Sequence, residues 1–178
     1  MIGSSGYLGS ELFNFLKKTN NKIICVSSKG RSNYDYSQIN LIKFHKNIDF
    51  VFIMSGLDES KSLNLKKAIK VKKQILKSLL KLSMSINLRK IIYFSSVKIY
   101  SDKLVGQITE NTCVFSNTIY ARAHLYAESF LEYNFRNLNY TILRLSNVYG
   151  SRINSNKGDK YILNILLKSL INKKKFKI

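Results

Sequence analysis

Three glycines set three apart, Gly3, Gly6 and Gly9, open the chain in the run Gly3-Ser-Ser-Gly-Tyr-Leu-Gly9. A glycine-rich turn leading from a strand into a helix lets the backbone approach a pyrophosphate, whose charge the helix N-terminus then stabilises. Alone, such a run could equally be a flexible loop. Placed before an amphipathic helix and a second strand ending near residue 27, it reads as a phosphate cradle, with Ser5, Tyr7 and Leu8 contributing backbone beside the glycines. The spacing is G-x-x-G-x-x-G, not the G-x-G-x-x-G of most dinucleotide folds. Eighteen residues beyond Gly9 stands Ser27-Ser-Lys-Gly-Arg31. An acid at the end of that strand would accept the ribose hydroxyls of NAD. Ser27, Ser28, Lys29 and Arg31 instead offer hydroxyls and cations that suit a 2′-phosphate, so NADP is favoured over NAD; the competing reading is an ordinary basic loop. Asp35 is a weaker candidate for an adenine contact, and Ser55-Gly56, closing a later strand, complete the expected cofactor set. Cys25, Cys113, His45 and His124 show no metal-ligand spacing, so no metal site is expected.

These residues need elements to carry them. Leu12, Phe13 and Leu16 give Ser10 to Lys18 a helical stripe, and Lys22 to Ser27 reads as a short buried strand. A polar loop follows, with a brief strand around Tyr34 to Tyr36. Ile48 to Met54 is the next strand, ending at Ser55-Gly56. From Lys66 to Leu82, Ala68, Val71, Ile75, Leu79 and Leu82 recur at steps of three and four, with Lys66, Lys70, Lys73, Lys77 and Lys81 off that stripe. Lys90 to Phe94 is a strand ending at Ser95-Ser96. A helix is expected from about Tyr120 to Arg136, a strand over Tyr140 to Leu145, and a helix over Ile162 to Ile171. Strands alternating with helices, and strands with apolar centres, predict an α/β fold with a parallel sheet covered on both faces.

Composition bounds the reading without choosing a function. The chain has 178 residues, 45% apolar and 12% aromatic, which excludes a disordered polymer despite a net charge of +20. The lysines are scattered, with abundant Ile and Asn and no proline, and they sit beside no nucleic-acid recognition module. Positive charge still attracts anionic ligands, phosphorylated cofactors among them. Apolar runs such as Ile48 to Leu57 fall short of the ~18 residues that span a bilayer. Two cysteines and an N-terminus that does not read as a signal peptide point to a reducing cytoplasm.

Four segments, in order, make the sequence resemble the extended short-chain dehydrogenase/reductase family of nucleotide-sugar epimerases, dehydratases and reductases. They are Gly3-Ser-Ser-Gly-Tyr-Leu-Gly9, Phe94-Ser-Ser-Val-Lys-Ile-Tyr100, Tyr120-Ala-Arg-Ala-His-Leu-Tyr-Ala-Glu128 and Leu143-Arg-Leu-Ser-Asn-Val-Tyr-Gly150. The resemblance implies a Rossmann-type doubly wound sheet with helices on both faces. It implies that Tyr120 transfers the proton, that Ser96, four residues before Tyr100, holds the reacting sugar oxygen, and that Asn147 lies near the substrate diphosphate. The family's tyrosine opens a Y-x-x-x-K helix, and here the lysine position holds His124. A tyrosine with a reference pKa near 10 needs a shift of about 3 units, roughly 4 kcal/mol, to act as a base at neutral pH. A fixed ammonium helps supply that shift, whereas histidine, with a reference value near 6.5, is largely neutral. His124 could still hydrogen-bond the nicotinamide ribose, and it is grouped with Tyr120 and Ser96 as catalytic.

The expected protein is an NAD(P)-dependent nucleotide-sugar epimerase, dehydratase or reductase, with a nucleotide sugar as its partner and room for a homodimer, and with neither nucleic acid nor membrane as partner. The alternatives are a catalytically impaired dinucleotide-binding protein, which His124 favours, and a basic nucleic-acid binder on the same scaffold. Only Met1 and Ile2 precede the glycine loop, and the family's pattern continues well past Gly150. The resemblance therefore implies a Rossmann-type domain over 1–178 that is truncated at both ends, its C-terminal substrate domain largely absent.

Overall fold

A computed structural model of the chain describes residues 1–28, 32–56, 62–100, 105–115, 117–148 and 162–172. It divides into two compact units, Met1–Arg144 and Leu145–Ile178.

In the first unit, the glycine loop leads into α1 (Tyr7–Leu16), and a 3-10 helix over Tyr36–Phe44 precedes β1 (Asn47–Ile53). Then come α2 (Leu65–Ser83), β2 (Asn87–Ser96), a 3-10 turn over Val97–Ile99, α3 (Ile119–Asn134) and β3 (Tyr140–Leu145). Side-chain caps start the two long helices: Asn64 accepts from Lys67 N at 3.0 Å, and Thr118 accepts from Ala121 N at 3.2 Å. Such a cap contributes about 1 kcal/mol by satisfying a backbone donor that the helix leaves open.

β1, β2 and β3 lie side by side in that order, with β1 and β2 parallel. Single parallel bridges extend the sheet beyond β1: Ile2 pairs with Ile53 on one side and Val26 on the other, and Val26 pairs with Tyr34. Backbone bonds from Ile2 N to Phe52 O (2.8 Å), Gly3 N to Val26 O (2.7 Å) and Val26 N to Met1 O (2.8 Å) hold these positions. Across the sheet the order is therefore Tyr34, Val26, Ile2, β1, β2, β3. In chain order that reads third, second, first, fourth, fifth, sixth, the doubly wound arrangement whose ligand crevice opens where the order reverses. The reversal lies between Ile2 and β1.

The predicted strand over Lys22 to Ser27 reduces to the bridge at Val26. Its partner segment there is Met1–Ile2, and beyond Ile2 the chain turns away at Gly3, at φ +92°. The brief strand around Tyr34 to Tyr36 reduces likewise to Tyr34, and the 3-10 helix takes over from Tyr36. Asp35 starts that helix with a capping box, accepting from Ser37 N at 2.9 Å while Gln38 Oε1 accepts from Asp35 N at 2.9 Å.

The core joins Val51 and Ile53 of β1, Leu88, Ile91 and Tyr93 of β2, the buried stripe of α2 and Ala127 and Leu131 of α3. Each fully buried aliphatic side chain contributes roughly 1.5–3 kcal/mol. The second unit carries α4, which spans Ile162–Ile171 as the sequence predicts.

Candidate functional site

The glycine loop sits at the reversal of the sheet order, and its glycines are demanded by contact. A Cβ on Gly9 would lie 2.2 Å from Gly3 O, and one on Gly3 would lie 2.8 Å from Ser55 N. Real Cβ atoms do not approach backbone that closely, so the loop, the start of α1 and the end of β1 pack as bare backbone. Gly6 is the N-cap of α1 and brings no side chain to cap it. The hydroxyl of Ser4 is buried with no hydrogen-bond partner among the described residues. Ser5, Tyr7 and Leu8 are partly buried around this turn.

Of the positions after Val26, Ser27 is buried and its N–H donates to Tyr34 O at 3.1 Å, while Ser28 is exposed. Lys29 and Arg31 lie outside the described residues. Asp35 has a local task as the cap described above. Ser55 is buried and donates to Tyr36 Oη at 2.8 Å. Gly56 lies beside the tip of Lys72, where a Cβ would stand 3.0 Å from Nζ.

The far side of the site is built by β2 against α3. Side chains at 93 and 95 share one face of the strand, and those at 124 and 128 share one face of the helix. Two polar rungs result. In one, Tyr93 Oη lies 2.8 Å from His124 Nδ1 and accepts from Lys72 Nζ of α2 at 3.0 Å. In the other, Ser95 Oγ donates to Glu128 Oε1, and Arg144 of β3 clasps the same carboxylate through Nε at 3.3 Å and Nη2 at 2.8 Å. Arg144 Nη1 also donates to Tyr100 Oη at 2.6 Å and to Glu110 O at 3.2 Å, tying in the loop that follows β2.

Tyr120 stands in the first turn of α3, half-buried, its ring centroid 4.6 Å from that of His124. The structure thus brings together Tyr120 and His124 of the predicted catalytic group. Ser96 is buried at the end of β2, where its Oγ accepts from Lys98 N at 3.2 Å as the cap of the 3-10 turn. Asn147 follows β3 in the second unit.

The electrostatics of the rung formed by Lys72, Tyr93 and His124 are those of buried groups. Burial lowers the Lys72 pKa from 10.5 to about 7. Burial, and then the neighbouring Lys72 charge, drops His124 from 6.5 to about 2, so the imidazole is neutral at any physiological pH. Burial first, then Glu128 and Tyr120, raises Tyr93 well above its ordinary value, so its phenol keeps its proton.

Lys72, Tyr93, Glu128 and Arg144 are absent from the predicted site. Lys72 had a legible signal, because it falls on the stripe Ala68, Lys72, Ile75, Leu76, Leu79 and Leu82, one lysine among apolar residues. Glu128 likewise follows His124 and precedes Leu131 on the buried face of α3.

The whole chain, residues 1–178, matches the NAD dependent epimerase/dehydratase family. No curated protein matches the sequence. Among solved structures it is similar to a UDP-glucose 4-epimerase from Thermotoga maritima, determined with UDP-glucose: TM-score 0.79, 20% identity, 99% of this chain and 64% of that one. It is also similar to a dTDP-glucose 4,6-dehydratase from Streptomyces venezuelae with NAD bound, at TM-score 0.78 and 15% identity over 97% of this chain and 61% of that one. A UDP-glucuronic acid 4-epimerase from Bacillus cereus, in complex with UDP-glucuronic acid and NAD, aligns at TM-score 0.72 and 21% identity over 97% and 62%. At these identities the likeness is one of fold, and the chain spans less than two thirds of each relative's length. The sheet order, the glycine loop at its reversal and the match along all 178 residues agree: the chain belongs to the NAD dependent epimerase/dehydratase family.

Proposed function

We propose that this chain binds a nicotinamide dinucleotide at the glycine loop and serves the interconversion of nucleotide sugars, with Tyr120 as the proton-transferring residue. The observation that carries the reading is the cradle at the reversal of the sheet order, where a Cβ on Gly9 would collide with Gly3 O. A pyrophosphate fits it: side chains are excluded, the N-cap of α1 contributes none, and the buried Ser4 hydroxyl has a donor to give. Gly3, Ser5, Gly6, Tyr7, Leu8 and Gly9 would hold the diphosphate, with Ser55 and Gly56 flanking it from β1. The bound nicotinamide supplies a hydride acceptor and donor.

The chain's own residues divide the remaining work. Tyr120 holds or takes the proton at its phenol oxygen. Ser96, at the end of β2, hydrogen-bonds the reacting sugar oxygen, His124 hydrogen-bonds the ribose, and Asn147 serves the substrate diphosphate. Ser27, Ser28, Lys29 and Arg31 select NADP(H) over NAD(H), because charge-assisted bonds to a phosphate are among the stronger ones available. Calorimetric titration is expected to give tighter binding for NADPH than for NADH, with Arg31→Ala erasing most of the difference. Equal affinities in the parent would remove the NADP assignment.

The catalytic assignment is tested by following nicotinamide reduction or oxidation with a panel of nucleotide sugars. Tyr120→Phe is expected to abolish turnover and leave dinucleotide affinity within about twofold, the diphosphate being held elsewhere. A phenylalanine variant as active as the parent would show that another group moves the proton. A second reading, a dinucleotide-binding protein without turnover, is favoured by one observation: position 124 holds a buried, neutral imidazole and no ammonium. Dinucleotide binding with no turnover across the panel is its signature.

A further inference from the structure

We infer that Tyr93 is a positioning residue that fixes His124 in the neutral Nε2–H tautomer, so that position 124 presents a hydrogen-bond donor from its outer nitrogen. Counting protons leads there. A phenol has one proton to give, and a buried hydroxyl left without an acceptor costs about 1–3 kcal/mol. Tyr93 Oη has two partners, Lys72 Nζ at 3.0 Å and His124 Nδ1 at 2.8 Å. Below about pH 7, where Lys72 holds its proton, its ammonium has three donors and no lone pair, so it can only give. It also lies 5.4 Å from the centroid of the Tyr93 ring, which holds the lysine tip against the tyrosine. The phenol proton is therefore turned toward Nδ1, which must carry a lone pair, and the ring's own proton belongs on Nε2.

The groups around the imidazole leave this arrangement undisturbed. Glu128, one turn further along the same face, is engaged by Ser95 and Arg144. Tyr120 meets His124 ring to ring at an interplanar angle of 59°. With Nδ1 held by β2, rotation of the ring is blocked, and the donor at Nε2 has a fixed direction. A neutral donor suits a ribose hydroxyl oxygen, and in that use the inference rests on the role proposed for His124 above; the tautomer itself does not depend on it.

The test reads the tautomer directly. The chain has two histidines, His45 and His124, so a two-bond 1H–15N correlation spectrum of the 15N-labelled full chain is assigned with one variant, His124→Gln. At about pH 6, below the Lys72 value of about 7, His124 is expected to show a protonated Nε2 and an unprotonated Nδ1, with no averaging between tautomers. Tyr93→Phe is expected to move both nitrogens toward the averaged positions of a ring exchanging its proton. A parent signal with the proton on Nδ1, or an already averaged one, overturns the inference without any variant, which covers the case in which Tyr93→Phe fails to fold. An unchanged Nε2–H pattern in a folded Tyr93→Phe overturns it as well. Because the spectrum is taken on the free protein, absence of dinucleotide binding would contradict the proposed function and leave this result standing.

Discussion

Lys72 enters the core from the stripe of α2 that faces β2, and burial is what lowers its pKa to about 7. A fall from 10.5 to about 7 places a penalty on the order of 5 kcal/mol on the ammonium form, at ~1.4 kcal/mol per pH unit. The unfolded lysine keeps its proton up to about pH 10, whereas the folded one releases it near 7. The penalty is therefore complete at and below pH 7 and fades as the pH rises between the two values. Lys72→Met removes it and forfeits one hydrogen bond to Tyr93, worth about 1 kcal/mol. The methionine variant is expected to melt above the parent at pH 7, with the gap narrowing toward pH 10. A variant that melts lower than the parent at pH 7 would show that the Lys72–Tyr93 contact outweighs desolvation. Single residues were partly legible in the sequence. Tyr120 and His124 are four apart on one helix, so their contact follows from local geometry. Tyr93 and Lys72 reach His124 from other elements, and nothing in local spacing brings those three together.

At the scale of elements, β2, α3 and β3 are joined by one carboxylate. Glu128 is buried on α3, takes a bond from Ser95 on β2 and is clasped by Arg144 on β3, which reaches onward to Tyr100 and Glu110. Removing one partner from such a group strands the other, and Glu128→Ala is expected to cost about 3–5 kcal/mol in a denaturation experiment. Glu128→Gln, which keeps acceptor and shape, should lose less. Equal losses for the two would mean that charge, and not the bonding pattern, is what the site requires. The elements themselves were read well where a pattern is long. α2 declares itself through its stripe, and β1, β2 and β3 lie within a few residues of expectation. The 3-10 helix over Tyr36–Phe44 is not legible although Asp35 and Gln38 spell its capping box, because a nine-residue stretch whose described buried residues are Ile39 and Ile42 carries little periodicity. The predicted Lys22 to Ser27 strand reduces to Val26 for a tertiary reason, since a strand needs partners along its length, and the bridges beside it are to Ile2 on one side and Tyr34 on the other.

At the scale of the whole molecule, the order Tyr34, Val26, Ile2, β1, β2, β3 sets the glycine loop against the segment after β1 where the order reverses. The alternation of elements made the α/β class legible. The order across the sheet was not, because bridges of one residue each decide it. A net charge of +20 draws anionic ligands from a distance without choosing among them, whereas the proposed bare-backbone cradle would choose a diphosphate by shape. Everything proposed for the site depends on the cradle, and dinucleotide binding is its test. Calorimetric titration of the full chain with NAD(P)H is expected to saturate at a single site. Gly9→Ala, whose methyl would meet Gly3 O, should weaken that binding by at least tenfold. Absence of saturable binding by either dinucleotide, in a chain whose thermal melt is cooperative, would contradict the account.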